Sequence, residues 1–425
     1  MKKSHGRKQH VTNFMLTFLL TFLAVILAGV LAVILYKAVT GGQSGEAAMT
    51  GGLSKTVSHI FGETIPEEER MEEETETGTA PSGKYGKILA DEEYREKNNI
   101  YVRTAASEDE ITLAFAGDIL FDPNYSVMAR LLQRTNGIYD SISSDLLDEM
   151  KQADIFMLNN EFPYSDGGSP TPEKQFTFRA KPESAELLEE MGVDIVSLAN
   201  NHAYDYGESA LLDTFHTLKE IGIPYVGAGQ NLEEAVKPVY FIAGDMKIAY
   251  ISATQIERLD NPDTKGATDV SPGVFRCLDP DKLLEVIGEA KENSDFVVVY
   301  IHWGTENTDV LDWAQLDQAP KIAEAGADLI IGDHPHCLQQ ISYIGDVPVI
   351  YSLGNFWFNS KQVDTCLVKV AIDQNGLKSF QFIPAIQKDC TTSLLTGEEK
   401  ERVLSYMRSI SPGISIDEEG YVKKT

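Results

Sequence analysis

From Ile111 onward the sequence alternates short apolar runs with amphipathic segments, and most of the runs end on polar residues able to bind or react; that pairing restricts the fold more than any other feature of the chain. ITLAFAG (111–117), DIFMLNN (154–160), DIVSLAN (194–200), MKIAYISA (246–253), DFVVVYIHW (295–303), ADLIIG (327–332), VPVIYSLGN (347–355) and CLVKVAI (366–372) are short and rich in β-branched or aromatic residues. Turn or helix signals bound each one, so they are predicted strands. Helical periodicity lies between several of them, over Glu183–Met191, Glu208–Ile221, Pro280–Glu292 and Asp312–Ala325. Strands alternating with helices predict an α/β domain with largely parallel pairing. After Ile344 strand-like segments follow one another directly, which predicts a mixed sheet or a second sheet there.

The amino-terminal region predicts where such a domain would sit. No residue from Phe14 to Tyr36 is charged, and a helix rising about 1.5 Å per residue over that run crosses a hydrocarbon core of about 30 Å. A cleaved secretory signal has a shorter apolar core, about 7 to 15 residues, so a retained signal anchor is expected. Lys2, Lys3, Arg7 and Lys8 precede the run and only Lys37 directly follows it, which predicts a cytoplasmic tail over 1–13 and an extracellular remainder on a cell membrane. Residues 37–105 include the acidic run Pro66–Glu76 and the sequence Gly78–Gly83, and read as an acidic flexible stalk. The expected organisation is a tail (1–13), a transmembrane anchor (14–36), the stalk (37–105), a catalytic-type domain (106–389) and a C-terminal helix and tail (390–425), the helix over Glu398–Arg408.

Charge narrows the partners. The net charge is −29, while the first 38 residues carry five basic residues and no acid. A chain so acidic beyond its anchor repels phosphate backbones, which excludes nucleic-acid binding through a basic face. Cys277, Cys337, Cys366 and Cys390 form no Cys-x-x-Cys pair, and disulfides and free thiols both stay open.

Open α/β sheets place their sites at the carboxyl ends of strands. There the sequence has Gly117-Asp118 with Asp122, then Asn159-Asn160-Glu161, then Asn200-Asn201-His202 with Asp205. His302-Trp303-Gly304-Thr305-Glu306, Asp333-His334-Pro335-His336 and Ser352-Leu353-Gly354-Asn355-Phe356 complete the series, which holds four of the eight histidines. Singly, each is explained as a cap or turn residue. Together Asp118, Glu161, Asn201, His202, His302, His334 and His336 supply the mixed oxygen and nitrogen donors that suit Mn, Fe or Zn. A carboxylate among them is able to bridge two ions, and a two-metal site clamps both the attacking water and the leaving oxygen of a hydrolysis.

In this order, GD…NNE…FRAKPE…ANNHxxDxG…HWGxE…GDHPH…SLGNFxF, the motifs closely resemble those of the poly-gamma-glutamate capsule synthesis CapA family, a branch of the calcineurin-like metallophosphatase superfamily, from about Ile111 to Pro384. The resemblance implies a four-layer α/β/β/α sandwich of metallophosphatase type with two divalent ions between the carboxyl ends of two central sheets. It implies Asp118, Glu161, Asn201, His302, His334 and His336 as metal ligands, with Glu161 as the bridge. His202 would be the catalytic imidazole, protonating a leaving group or steadying the transition state, with Asp205 as its partner. Arg179 matches a family arginine whose guanidinium holds a phosphate or carboxylate, the alternative being a surface ion pair. Asn355 either hydrogen-bonds a ligand or closes a turn, and Asp205 and Glu306 are expected to orient the neighbouring histidines. Two positions depart from the pattern: Leu120 stands where Asp-x-His has its His, which removes a ligand unless Asp122 substitutes, and Glu161 is one methylene longer than the usual Asp.

Two functions of different class follow. One is a metal-dependent hydrolase, anchored in the membrane and acting outside the cell on a phosphoester or related bond of an anionic envelope polymer or its precursor. The other is a non-catalytic accessory protein of poly-gamma-glutamate synthesis and export that binds polymer or partner membrane proteins.

Overall fold

The computed structural model describes residues 83–107, 110–257 and 264–425. The tail 1–13, the anchor 14–36 and most of the expected stalk lie outside the described residues. Among the described residues no helix is long and apolar enough to cross a membrane.

Two mixed sheets organise the chain. The first runs, in spatial order, Ile100–Arg103, Val239–Ala243, Met246–Thr254, Phe296–His302, Leu329–Asp333, Val347–Ile350 and Ile341–Ile344. Its four central strands, from Met246–Thr254 to Val347–Ile350, are parallel. The second runs Thr391–Leu394, Gly376–Lys388, Val363–Asp373, Ile111–Ile119, Ile155–Asn160, Ile195–Ser197 and Tyr225–Val226, with Asn355–Trp357 also paired to Ile111–Ile119. Its last four strands are parallel and its first three are joined antiparallel. This is the predicted change from strand–helix alternation to successive strands, although the antiparallel strands join the sheet of Ile111–Ile119 and make no separate one.

Alternation along the strands assigns their faces. Phe296, Val298 and Tyr300 join Leu113, Phe115, Ile155 and Met157 in one apolar cluster lying between the sheets. Val297, Val299 and Ile301 join Leu283, Val286 and Ile322 in a second cluster under the helices Asp281–Asn293 and Trp313–Ala325. Ala114, Phe156 and Leu158 join Leu147, Leu188 and Leu211 in a third, under Ser144–Lys151, Glu186–Met191 and Gly207–Glu220. Strands buried on both faces read as continuous apolar runs, which is why they stood out in the sequence. Polar ties also cross between the sheets: Tyr300 Oη donates to Ala116 O at 2.9 Å, and the Ser197 and Ser252 hydroxyls lie 2.7 Å apart.

The domain limits differ from expectation at both ends. Residues 83–103, read as stalk, contain the helices Gly86–Leu89 and Glu92–Lys97 and the edge strand Ile100–Arg103. Lys84 pairs with Asp295, and Tyr85 Oη donates to Asp295 Oδ2 at 2.7 Å. This segment is polar enough to resemble a linker, and its order comes from the sheet it joins. At the other end, Thr391–Leu394 is an edge strand, and the helix Gly397–Ile410 buries Val403, Leu404 and Met407 in the cluster between the sheets. Residues 390–425 therefore belong to the domain and are not a tail beyond it. All four cysteines are free thiols, Cys337 partly exposed and the others buried.

One crossing matters for the site. The run VPVIYSLGN, predicted as a single strand, leaves the first sheet at Ile350 and re-enters as Asn355–Trp357 in the second. Gly354 turns the chain with φ +70°, and a Cβ on Gly117 would stand 1.9 Å from Gly354 O, so the two backbones touch only because position 117 has no side chain.

Candidate metal centre

Strand register brings the predicted ligands together. Asp118 pairs with Asn159 across two parallel strands of the second sheet, and His302 pairs with Asp333 in the first. These strand ends converge with the loops that follow them. Three groups of side chains each place donor atoms within 4.8 Å of one another: Glu161–His302–His334, Asp118–His302–Asp333 and Asp118–Glu161–His336. Asp118, Glu161 and His302 each belong to two of them.

Asp118 Oδ1 accepts from Asn159 Nδ2 at 2.9 Å, and its Oδ2 lies 3.0 Å from His336 Nδ1. His302 Nε2 lies 2.9 Å from Asn201 Oδ1, 3.0 Å from His334 Nδ1 and 3.8 Å from Glu161 Oε1. His334 and His336 reach these positions from left-handed backbone, φ +92° and +58°, a conformation that costs on the order of 1–3 kcal/mol per residue and concentrates at functional sites.

The donor set fits divalent cations. Glu161 is fully buried and neither carboxylate oxygen has a hydrogen-bond partner; an ionised carboxylate without a counter-charge costs several kcal/mol to bury, so this group calls for a cation or a proton. Burial first, then the charges of Asp118 and Asp333, push its pKa well above the carboxylate range. Asn201 Oδ1 faces His302 Nε2 at hydrogen-bond distance, two atoms that repel when both present lone pairs. Burial lowers the His302 pKa to about 3, which keeps its imidazole neutral, as a ligand must be. Borderline Mn, Fe or Zn suit such a mixture of carboxylate, carboxamide and imidazole.

His202 stands at the edge of the cluster, its Nε2 3.9 Å from Glu161 Oε1 and its Nδ1 2.7 Å from Asp205 Oδ2. Phe178 lies against the imidazole, ring centres 4.2 Å apart. Burial lowers the His202 pKa, against the opposing pull of Asp205. Asp205 is itself held: Oδ1 accepts from Lys174 Nζ at 2.6 Å and Oδ2 from the Phe178 amide at 2.7 Å. Lys174 Nζ also donates to Asn201 O, and its side chain is only 5% exposed. Nothing in the sequence marked Lys174, because it sits in an irregular loop and acts on residues 27 and 31 positions away.

Asn159 and Asn200 were quoted in the motifs without a role. Asn159 Oδ1 accepts from Asn200 Nδ2 at 2.9 Å while Asn159 Nδ2 holds Asp118, and Asn200 Oδ1 accepts from the His202 amide at 3.0 Å. They form the polar frame behind the ligands.

Other expected residues fall elsewhere. Asp122 does not replace the missing histidine: its oxygens accept from the Arg179 amide and from Asn124, and it joins none of the three groups. The Arg179 guanidinium donates to Gly167 O at 2.6 Å and lies over the Tyr206 ring at 4.3 Å, in neither a surface ion pair nor the ligand cluster. Asn355 is buried, and its Oδ1 has no hydrogen-bond partner. Glu306 is exposed, and the carboxylate 3.0 Å from His302 Nδ1 is that of Asp333. Trp303, directly after His302, is a fully buried packing aromatic whose indole donates to Tyr351 O.

The family model described as bacterial capsule synthesis protein PGA_cap matches residues 112–360. The chain is 31% identical over 290 residues to "PGA biosynthesis protein CapA" of Bacillus subtilis (strain 168), covering 65% of this chain and 72% of that protein. It is 30% identical over 310 residues to "Capsule biosynthesis protein CapA" of Bacillus anthracis, covering 69% of this chain and 72% of that protein.

Proposed function

Because the chain belongs to the bacterial capsule synthesis PGA_cap family, we propose that it acts in the biosynthesis of poly-gamma-glutamate or a related envelope polymer, as a metal-dependent hydrolase of metallophosphatase type. The observation that carries the metal reading is the Glu161 carboxylate, buried with both oxygens unpartnered among four histidines and two aspartates. Its membership of two donor groups supports a bridging role. Asp118, Glu161, Asn201, His302, His334 and His336 would hold two divalent ions, Mn, Fe or Zn. Bound there, such ions supply a hydroxide near neutral pH and polarise the bond to be cleaved.

The chain's own residues do the remaining work. Asp205 accepts from His202 Nδ1 and so leaves the Nε2 lone pair facing the cluster, where it would take a proton from the attacking water and pass that proton to the leaving oxygen. Lys174 and the Phe178 amide fix both oxygens of Asp205, which fixes the imidazole in turn. In this proposal the run 14–36 anchors the chain in the cell membrane with the domain outside, where the anionic polymer or its phosphoester precursor and partner membrane proteins would be met.

The test is turnover of aryl phosphomonoesters and phosphodiesters by the full-length chain loaded with Mn²⁺. His202→Ala is expected to lose about 10²- to 10⁴-fold, the usual contribution of a general acid or base. Turnover that is absent with every divalent metal, or indifferent to His202, overturns the hydrolase reading. Leu120, buried where a ligand histidine would stand, favours the accessory reading. That reading expects a deletion strain to lose surface polymer and to regain it with a His202→Ala chain.

A further inference from the structure

We propose that Asp333 is the positioning residue of this metal centre: its Oδ1 accepts a hydrogen bond from His302 Nδ1–H and thereby commits Nε2 as the ligand nitrogen. The proposal rests on the metal reading above and assigns a role to a residue that the motifs left unassigned.

The register creates the contact. His302 and Asp333 end neighbouring parallel strands as direct partners, and the Trp303 amide donates to Asp333 O at 3.2 Å, which keeps the two ends level. A Cβ on Gly332 would stand 2.4 Å from Trp303 Nε1 and 2.2 Å from Tyr351 O, so glycine there lets the residue after His302 pack against the strand that ends in Asp333. Asp333 Oδ1 then lies 3.0 Å from His302 Nδ1, with both side chains fully buried. On the opposite side of the ring, Nε2 faces Asn201, His334 and Glu161. An imidazole in this setting has one nitrogen for a proton and one for a cation, and the partner of the first selects the second. The Asn159 carboxamide nitrogen lies farther from Nδ1, at 3.5 Å, and makes its shorter hydrogen bond, 2.9 Å, to Asp118 Oδ1.

The competing role for Asp333 is direct ligation, making good the histidine missing at position 120. Asp333 Oδ2 has no hydrogen-bond partner, and Asp333 does group with Asp118 and His302. The geometry favours positioning, because the oxygen nearest the imidazole meets the nitrogen that faces away from Glu161. The two roles differ in what a carboxamide can replace: asparagine keeps an acceptor for Nδ1–H but makes a poor ligand.

The experiment uses the full-length chain, stripped of metal and titrated with Mn²⁺ by calorimetry, as wild type, Asp333→Asn and Asp333→Leu. Positioning predicts that Asp333→Leu weakens Mn²⁺ binding about 10- to 100-fold, while Asp333→Asn stays within about threefold of wild type by the same logic. Equal loss in both variants, or wild-type affinity in Asp333→Leu, overturns the proposal. A second readout needs neither metal nor an Asp333 variant: ¹⁵N-histidine spectra of the metal-free wild-type chain, with the His302 signal assigned through His302→Gln. An Nδ1–H tautomer at His302 supports the proposal and an Nε2–H tautomer overturns it. If the wild-type chain binds no Mn²⁺, the metal reading fails on its own and the tautomer still decides Asp333.

Discussion

Glu161 and Asp333 hold their protons well above the carboxylate range, through burial first and the neighbouring Asp118 charge second. Burial pulls the His336 pKa down, but the hydrogen bond it donates to Asp118 and the charge of that carboxylate outweigh burial and raise the group. In all three the folded chain binds more protons than the unfolded one, so their effect on stability declines as pH rises. His302 and His202 are depressed, and their loss of stability falls below the usual histidine value of about 6.5. Above that value only the first three act, and the sign is single. Melting temperature of the metal-free chain is therefore expected to fall from pH 6.5 to 8.5, and Mn²⁺ to flatten the slope by binding the deprotonated forms. A metal-free chain that gains stability over that range contradicts the assignment.

Lys174 belongs to the same scale. Its ion pair with Asp205 is buried on both sides, and removing one partner of such a pair costs about 3–5 kcal/mol. Lys174→Met should show that loss in urea unfolding; a change below about 1 kcal/mol would mark the pair as expendable. The candidate ligands were legible because they cluster at or just after the ends of apolar runs. Asp333 was visible only as part of a motif, and Lys174 not at all, because their roles depend on strand register and on how a loop closes.

At the scale of elements, the crossing from Val347–Ile350 to Asn355–Trp357 joins the sheets behind Asp118. Asp118 N donates to Gly354 O at 3.3 Å, so the crossing and the first candidate ligand share one hydrogen bond. Gly117→Ala would force Gly354 O away and is expected to destabilise the chain by about 1–3 kcal/mol or more, the usual cost of overpacking. It should also weaken Mn²⁺ binding, since Asp118 moves with the backbone. An alanine variant with wild-type stability and Mn²⁺ affinity would show that the contact relaxes freely. The helices predicted from Glu208, Pro280 and Asp312 appear within a residue or so of their expected limits, as strong 3.6-residue patterns should. The run VPVIYSLGN was read as one strand because both halves are apolar, and no local signal shows that they pair in different sheets.

At the scale of the whole molecule, charge and composition separated an apolar anchor-like run and a polar stretch from the folded region, yet placed the boundary too late. Ile100–Arg103 is a strand only because Val239–Ala243 offers it an edge, a long-range condition that composition does not record. Within the unit Thr77–Thr425, Lys84 and Tyr85 fasten to Asp295, directly before the strand Phe296–His302, while the candidate ligands gather at that strand's other end. The chain thus enters the domain at the amino ends of the central strands, away from the candidate centre. The central claim is that these strand ends build a divalent-metal site around Glu161. Elemental analysis of the purified full-length chain tests it most directly: the account predicts about two ions per chain in the wild type, as a bridging carboxylate implies, and a marked loss in Glu161→Gln. A wild-type chain that retains no divalent metal, or a Glu161→Gln chain that retains as much as the wild type, would contradict it.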